Sequence, residues 1–314
     1  MARTKILIDC DPGQDDAVML LLAFGARDVL DIAGITTVAG NVPLAKTQRN
    51  ARIICELAGV SDVPVFAGCE RPMMRRLVTA EHVHGREGID GADIYDPALP
   101  LQSTHAVDFI VDTLMKAEDD SVTLVPTGPL TNIGMAIVRE PRILSRIKEI
   151  VLMGGALREG GNTTPSAEFN IYVDPHAADI VFHCGRPIVV MPLDVTHQVM
   201  TTSQRTAAIG RLGNKTGTAV QAMLEFYNRY DKDKYGTDGG PLHDPCTIAY
   251  LLEPDLFSGK EINVAIETQS ELTMGATVAD IWRVTERDAN ATWMHDVDAD
   301  GFFDLLNRKL AVLP

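Results

Sequence analysis

Cysteine is scarce in this 314-residue chain, and no two cysteines form a C-x-x-C pair. That excludes a zinc ribbon and a disulfide framework. Cys10, Cys55, Cys69, Cys184 and Cys246 are odd in number and set mostly inside apolar segments, which makes them small packing residues. The acids around Cys10 would raise its pKa and disfavour a reactive thiolate. Positive charge is also short: 28 Lys and Arg stand against 43 Asp and Glu, a net charge of -15. Such a balance excludes a nucleic-acid or anionic-membrane surface and leaves small uncharged ligands open. Aromatic residues make up 5%, and Trp282 and Trp293 are the only tryptophans. No apolar run approaches the ~18 residues that span a bilayer. Met1–Lys5 leads straight into a strand pattern without a signal-peptide core. The expected setting is cytoplasmic.

What the chain does have is material for a core. Hydrophobic residues make up 46%, in short β-rich runs that alternate with helical spacing. Strands are expected at 4–9, 30–38, 63–67, 121–126, 149–154 and 187–193, and helices near 15–25, 43–58, 105–118, 130–147 and 174–184. This alternation predicts an α/β fold: an open, mainly parallel, doubly wound sheet covered on both faces. After Thr196 the pattern changes. Residues 203–257 read as largely helical, including an amphipathic segment at 217–235. Residues 261–268 and 271–282 read as a late strand pair, and 299–312 as a closing helix. With no linker, repeat or low-complexity tract, one domain over 1–314 is expected, its core in 1–196 and a helical and C-terminal elaboration in 197–314.

The most informative segment is Asp9-Cys10-Asp11-Pro12-Gly13-Gln14-Asp15-Asp16, with four carboxylates in eight positions directly after the apolar run Ile6–Ile8. Mutual repulsion makes that crowding costly unless a cation or a polar ligand offsets it. Pro-Gly forces a turn and Ala17–Leu22 reads as helix, so the acids lie where a strand hands over to a helix. Open α/β sheets place ligands there. Helix capping and dipole effects would explain Asp15 and Asp16, and leave Asp9 and Asp11 without a reason.

Polar residues also follow other strands: Ala39-Gly40-Asn41, Val125-Pro126-Thr127-Gly128, Met153-Gly154-Gly155 and Asp194-Val195-Thr196. Turn chemistry explains any one of them. Their recurrence points to loops converging on one crevice. In Glu168-Phe169-Asn170, extended spacing would put carboxylate and amide on one side and Phe169 on the other. Such a pair suits a diol such as ribose, although a surface turn is the plainer reading. His243-Asp244 opens an apolar helix after Gly239-Gly240-Pro241. Asp244 is either an N-cap or, with His243, a metal ligand beside a proton donor. Two segments are set aside. Asp296–Gly301 imitates half of an EF-hand loop but has Asn307 at the twelfth position, and Gly210–Thr216 lacks the glycine before Lys215 that a P-loop needs.

Taken in order, Asp9–Asp16, Val38–Asn41, His82–Gly85, Val125–Gly128, Val151–Gly155, Ala167–Asn170 and His243–Cys246 resemble the inosine–uridine-preferring nucleoside hydrolases, over about residues 4–310. The resemblance implies a ribonucleoside N-glycosidase with one Ca²⁺ held by Asp11, Asp16, the Thr127 carbonyl and Asp244. It implies a ribose pocket of Asp15, Asn41, Met153, Asn162, Glu168 and Asn170. His84, His243, Phe169 and one of Tyr227, Tyr230 or Tyr235 would surround the base. Calcium would acidify and position a water, Asp11 would take its proton, and His243 would protonate the leaving base. Asp9 is left as support behind the site. The partner would be a small-molecule nucleoside, and the assembly a homo-oligomer, tetramer or dimer. Purine-specific relatives stack the base on tryptophan, and neither Trp282 nor Trp293 falls in a matched segment. A broad inosine and uridine preference is therefore expected, with a pyrimidine bias open.

Two rival readings fit some of the same residues. A strand ending in Asp-x-Asp also opens Mg²⁺-dependent aspartyl phosphohydrolases, although no lysine falls in the matched loops. A catalytically silent nucleoside- or ribose-binding protein would keep the same cleft.

Overall fold

Apolar strands of a parallel sheet need cover on both faces, and helices supply it. The computed structural model describes residues 3–314. In chain order it begins β1 (Thr4–Cys10), α1 (Gln14–Phe24), β2 (Leu30–Thr37), α2 (Leu44–Leu57), β3 (Val65–Ala67) and α3 (Glu81–His84). There follow β4 (Leu101–Gln102), α4 (Ala106–Met115), β5 (Val122–Pro126), α5 (Thr131–Arg139), β6 (Ile147–Met153), α6 (Phe169–Val173) and α7 (Pro175–Phe182). Next come β7 (Ile188–Met191), α8 (Leu193–Thr196), α9 (Ser203–Gly210), α10 (Lys215–Tyr235) and α11 (Pro245–Leu252). The chain closes with β8 (Phe257–Ile262), β9 (Val264–Ile266), β10 (Thr277–Ala279), β11 (Ala291–Val297) and α12 (Ala299–Leu310).

Nine strands form one sheet in the order β4-β3-β2-β1-β5-β6-β7-β11-β8. Its pairings are parallel except β11 with β8. From β1 the chain winds outward to β4 on one side and resumes at β5 on the other. The carboxyl ends of β1 and β5 therefore flank a topological switch point, where open α/β sheets leave a crevice. Alternation along β1 divides the core. Ile6 and Ile8 pack with α1 and α2 on one face, and Leu7 packs with α4, α5 and α7 on the other. α1 is buried along its whole length, which explains why Ala17–Leu22 is apolar all round. No helix among the described residues is long and apolar enough to cross a membrane.

The β9–β10 hairpin is the expected late strand pair, with Thr277 opposite Ile266. Elsewhere the C-terminal part departs from expectation. Phe257, read as the last helical residue, and 258–260, read as neither, belong to β8, and 291–297, also read as neither, form β11; both strands extend the main sheet. β8 is an edge strand whose middle, Ser258–Glu261, is exposed, so it has no apolar alternation to read. The helix expected over 130–147 stops at Arg139, because Pro141 cannot continue it, and a 3₁₀ turn leads into β6.

Asn132, at the start of α5, ties this arrangement together behind the acid motif. Its Nδ2 donates to Asp9 Oδ1 at 2.8 Å and to the Thr37 carbonyl at 3.0 Å, and its Oδ1 accepts from the Cys69 N–H at 2.9 Å. Asn132→Ala strands three buried polar groups. We expect it to lower stability by about 2–4 kcal/mol in urea unfolding at unchanged m-value. A loss below about 0.5 kcal/mol would show that the three groups find other partners.

Candidate active site

β1 ends at Cys10, and Asp11-Pro12-Gly13 turns the chain so that Asp15 and Asp16 fall in the first turn of α1. Asp16 accepts from the Gly13 N–H at 3.0 Å, which is ordinary capping, and also from Thr127 Oγ1 at 2.8 Å and Asn41 Nδ2 at 3.3 Å. Asp244 precedes α11, yet its side chain caps nothing. It reaches instead to Asp15 and Asp16, and oxygens of Asp15, Asp16 and Asp244 gather within 4.8 Å of one another. Asp11 stands beside this trio. The Asn41 N–H donates to its Oδ2 at 2.7 Å, while its Oδ1 has no partner. A Cβ on Gly40 would come 2.1 Å from Asp11 Oδ2, and one on Gly128 2.6 Å from Oδ1, so both strand-end glycines make room for this carboxylate.

Asp9 points to the other side of β1, where Thr36 Oγ1 at 2.6 Å and Asn132 hold its Oδ1. Burial first, and the neighbouring carboxylates after it, push Asp15 up to about 7 and Asp11 and Asp244 well above the usual carboxylate range. Buried, crowded hard oxygens, with unpartnered Oδ1 atoms on Asp11 and Asp15, suit a divalent cation such as calcium. The trio places Asp15 among the candidate ligands, where the resemblance put Asp11 and left Asp15 to the ribose. The Thr127 carbonyl accepts from Asn170 Nδ2 at 2.6 Å, and its second lone pair remains available for a cation.

A cleft of about 540 Å³ opens above these acids. Asp15, Asn41, Thr127, Met153, Asn162, Glu168, Phe169, Asn170, His84, His243 and Asp244 line it, while Asp11 and Asp16 lie beneath its floor. Glu168 is not in an extended segment. It caps α6, accepting from the N–H groups of Asn170 at 2.9 Å, Gly155 at 3.0 Å and Ile171 at 3.2 Å. Asn170 is thus in a helical first turn, and Phe169 shares the cleft wall instead of facing away. Burial outweighs the three donors and pushes Glu168 up to about 7. Asn162 Oδ1 accepts from the Phe169 N–H at 3.0 Å, which leaves its amide nitrogen for a ligand.

Tyr227, Tyr230 and Tyr235 all line the cleft from α10. Tyr227 stacks on His84 with ring centroids 5.5 Å apart, and Tyr230 meets His82 edge-on at 5.6 Å. Sequence reasoning missed His197, Glu159 and Asp231, which also line the cleft. The strand-end motif Asp194-Val195-Thr196 stops one residue short of His197, so following it further would have found that group. Burial, with His197 and His84 beyond it, pushes His243 well below the usual histidine range, and burial with His82 takes His84 down to about 3. Both rings stand neutral. Thr196 Oγ1 lies 2.7 Å from His243 Nδ1. Among the described residues this buried hydroxyl has no other hydrogen-bond partner, so pairing its hydrogen makes Thr196 the donor, Nδ1 the acceptor and Nε2 the nitrogen that carries the imidazole hydrogen. Among the described residues no lysine or arginine lines the cleft, so a phosphoester would meet no basic side chain there.

The family model described as inosine-uridine preferring nucleoside hydrolase matches residues 6–304. The chain belongs to that family. It is 51% identical over 310 residues to an uncharacterized protein of Schizosaccharomyces pombe, covering 99% of this chain and all of that one. It is 47% identical over 307 residues to the pyrimidine-specific ribonucleoside hydrolase RihA of Photobacterium profundum, covering 98% of each. Among solved structures, a purine-preferring ribonucleoside hydrolase from Gardnerella vaginalis superposes with a TM-score of 0.91 at 32% identity, over 98% of each chain. A plant nucleoside hydrolase, the PpNRh1 enzyme, gives 0.89 at 31%, over 98% of this chain and 99% of that one. The expected enzyme class and α/β fold both hold: this nucleoside hydrolase is a hydrolytic enzyme built on a mostly parallel sheet.

The buried acids make stability depend on pH and cation together. A carboxyl such as Asp15, raised to about 7 in the folded chain, keeps a proton that the unfolded chain releases near pH 4. The metal-free nucleoside hydrolase should therefore lose stability as pH climbs from about 4 to about 7. In thermal melts with chelator we expect Tm to fall across that window, and added calcium to raise it by an amount that grows with pH. A calcium shift flat in pH would detach the cation from these acids.

Proposed function

We propose that this nucleoside hydrolase cleaves the N-glycosidic bond of pyrimidine ribonucleosides, with Ca²⁺ as cofactor. The observation that carries the reading is the buried acid group at the β1/β5 switch point, opening into a cleft walled by neutral histidines, amides and tyrosines. Base preference is weighed on kinship. The relatives named pyrimidine-specific, from P. profundum and Escherichia coli, are 46–47% identical to this chain, against 32% for the purine-preferring structure. This narrows the broad inosine and uridine expectation. The lining agrees, since Trp293 is buried in the core and Trp282 is exposed, so neither reaches the cleft.

Asp15, Asp16, Asp244 and the Thr127 carbonyl would hold the cation, with Asp11 alongside. Calcium, when bound, neutralises the crowded acids and polarises water and ribose hydroxyls as a Lewis acid. Asp11 is the general base. Its unpartnered Oδ1 takes the proton of the attacking water, and the Asn41 N–H on Oδ2 keeps that oxygen aimed. Asn170 Nδ2 is committed to the Thr127 and Met153 carbonyls, so its Oδ1 faces the ribose as an acceptor. As the bond breaks, the ribosyl group gains oxocarbenium character, which the carboxylates of Asp15 and Glu168 favour. The base leaves with the bonding electron pair. His243 assists it through its Nε2–H. On this reading the ring, which burial keeps uncharged, helps the base leave as a hydrogen-bond donor.

Initial rates on uridine, cytidine, inosine and adenosine, with and without chelator, test the whole reading. We expect the two pyrimidines to be preferred and chelator to abolish turnover. Asp11→Ala should cost about 10³-fold or more in kcat, and a variant with rates near wild type would sink the base assignment. His243→Ala should cost about 10²-fold on uridine and much less on nitrophenyl riboside, whose leaving group needs no hydrogen bond. Equal losses on both would remove His243 from leaving-group assistance.

A further inference from the structure

Gln14 stands in the middle of the acid motif, fully buried, and the mechanism above gives it no work. Its amide is held at three points. Nε2 donates to the His84 carbonyl at 2.9 Å and to the Asp90 carbonyl at 3.1 Å, and Oε1 lies 2.8 Å from His84 Nδ1. This orientation is forced. Turned over, the amide would set its oxygen against two carbonyl oxygens and lose both donations. With Oε1 toward the ring, Nδ1 must carry the hydrogen, because an amide oxygen only accepts.

We infer that Gln14 is a positioning residue that holds His84 as the Nδ1–H tautomer, so that His84 meets the nucleoside through a bare Nε2, as a hydrogen-bond acceptor. Gly13 completes the lock: a Cβ there would come 2.4 Å from His84 Nδ1, so glycine lets the ring lie against the start of α1. The titratable groups around the ring are His82 on α3, His243 ahead of α11 and the Tyr227 phenol on α10. Burial together with His82 keeps the ring uncharged.

The consequence is a division between two neutral imidazoles in one cleft. Thr196 leaves His243 with Nε2–H, a donor; Gln14 leaves His84 with a lone pair, an acceptor. Leaving-group assistance then falls to His243 alone. His84 recognises a hydroxyl or N–H of the substrate and contributes to binding in ground and transition states alike. This deepens the proposed function and rests on it for the identity of the ligand as a nucleoside.

The test reads the tautomer directly. Long-range ¹H–¹⁵N imidazole spectra of the ¹⁵N-labelled full chain with calcium, His84 assigned through His84→Gln, should show Nδ1 protonated and Nε2 bare from about pH 5.5 to about pH 8. In Gln14→Met that pattern should give way to an Nε2–H or mixed form. The same variant should raise KM for uridine about tenfold with kcat within about twofold, and should leave kcat on nitrophenyl riboside within about twofold as well. A wild-type His84 with protonated Nε2 overturns the inference, and so does a Gln14→Met variant that keeps the wild-type pattern. A kcat loss confined to uridine overturns it too, by making His84 a leaving-group donor. If Gln14→Met does not fold, the wild-type spectrum decides alone. The spectrum needs no turnover, so an Nδ1–H His84 in a chain that cleaves no nucleoside would leave this inference standing and remove the proposed function.

Discussion

Carboxylates repel, and Asp11, Asp15, Asp16 and Asp244 share one buried crevice. With oxygens of Asp15, Asp16 and Asp244 within 4.8 Å of one another, each charged pair of these three costs several kcal/mol at an effective dielectric near ~20, and burial adds a desolvation penalty for every ion. Much of the surrounding structure is organised to hold that group. The strand order brings the ends of β1 and β5 together, so Thr127 can donate to Asp16. Gly40 and Gly128 leave space for the Asp11 carboxylate, and Asn41 donates into both Asp11 and Asp16. Asp244 arrives from far along the chain on a helix start that it does not cap. A divalent cation held there would turn this repulsion into a binding energy.

The strands with clear apolar runs were legible in the sequence. β1, β2, β5, β6 and β7 are buried on both faces or nearly so, and such runs announce themselves without any knowledge of neighbours. β8 was not legible because an edge strand with exposed Ser258–Glu261 carries no alternation. β11 was missed for a related reason: its burial comes from pairing with β7 and β8, which a local window does not contain.

The site shows the same contrast. Asp11 and Thr127 follow the ends of β1 and β5, and Asp16 opens the helix after β1, where fold logic points. Glu168 and Asn170 were found and given the wrong backbone, because a five-residue helix capped by Glu168 leaves too short a periodic signal. Their conversion from strand to helix turn moves Phe169 from the far side to the cleft wall. His197 lies one residue past the strand-end motif Asp194-Val195-Thr196, and Asp231, within α10, belongs to no motif. They reach the cleft through the packing of α8 and α10, which is a tertiary fact.

Charge explains what such a cleft can admit. Among the described residues no lysine or arginine lines it, and the chain as a whole is strongly negative, so a phosphorylated substrate meets repulsion on approach and no basic side chain in the cleft. What remains for recognition is hydrogen-bond direction, and this is where neutral histidines are more useful than charged ones. An imidazolium donates from both nitrogens and cannot tell a donor from an acceptor. A neutral ring can, provided its tautomer is set from behind, and each of the two buried histidines has one partner able to do this: Thr196, whose hydrogen has nowhere else to go, and Gln14, whose oxygen cannot donate. Gln14 sits between Gly13 and Asp15 in the very turn that assembles the acids. The segment that gathers the acids therefore also supplies the residue that sets which way one wall of the cleft reads its ligand.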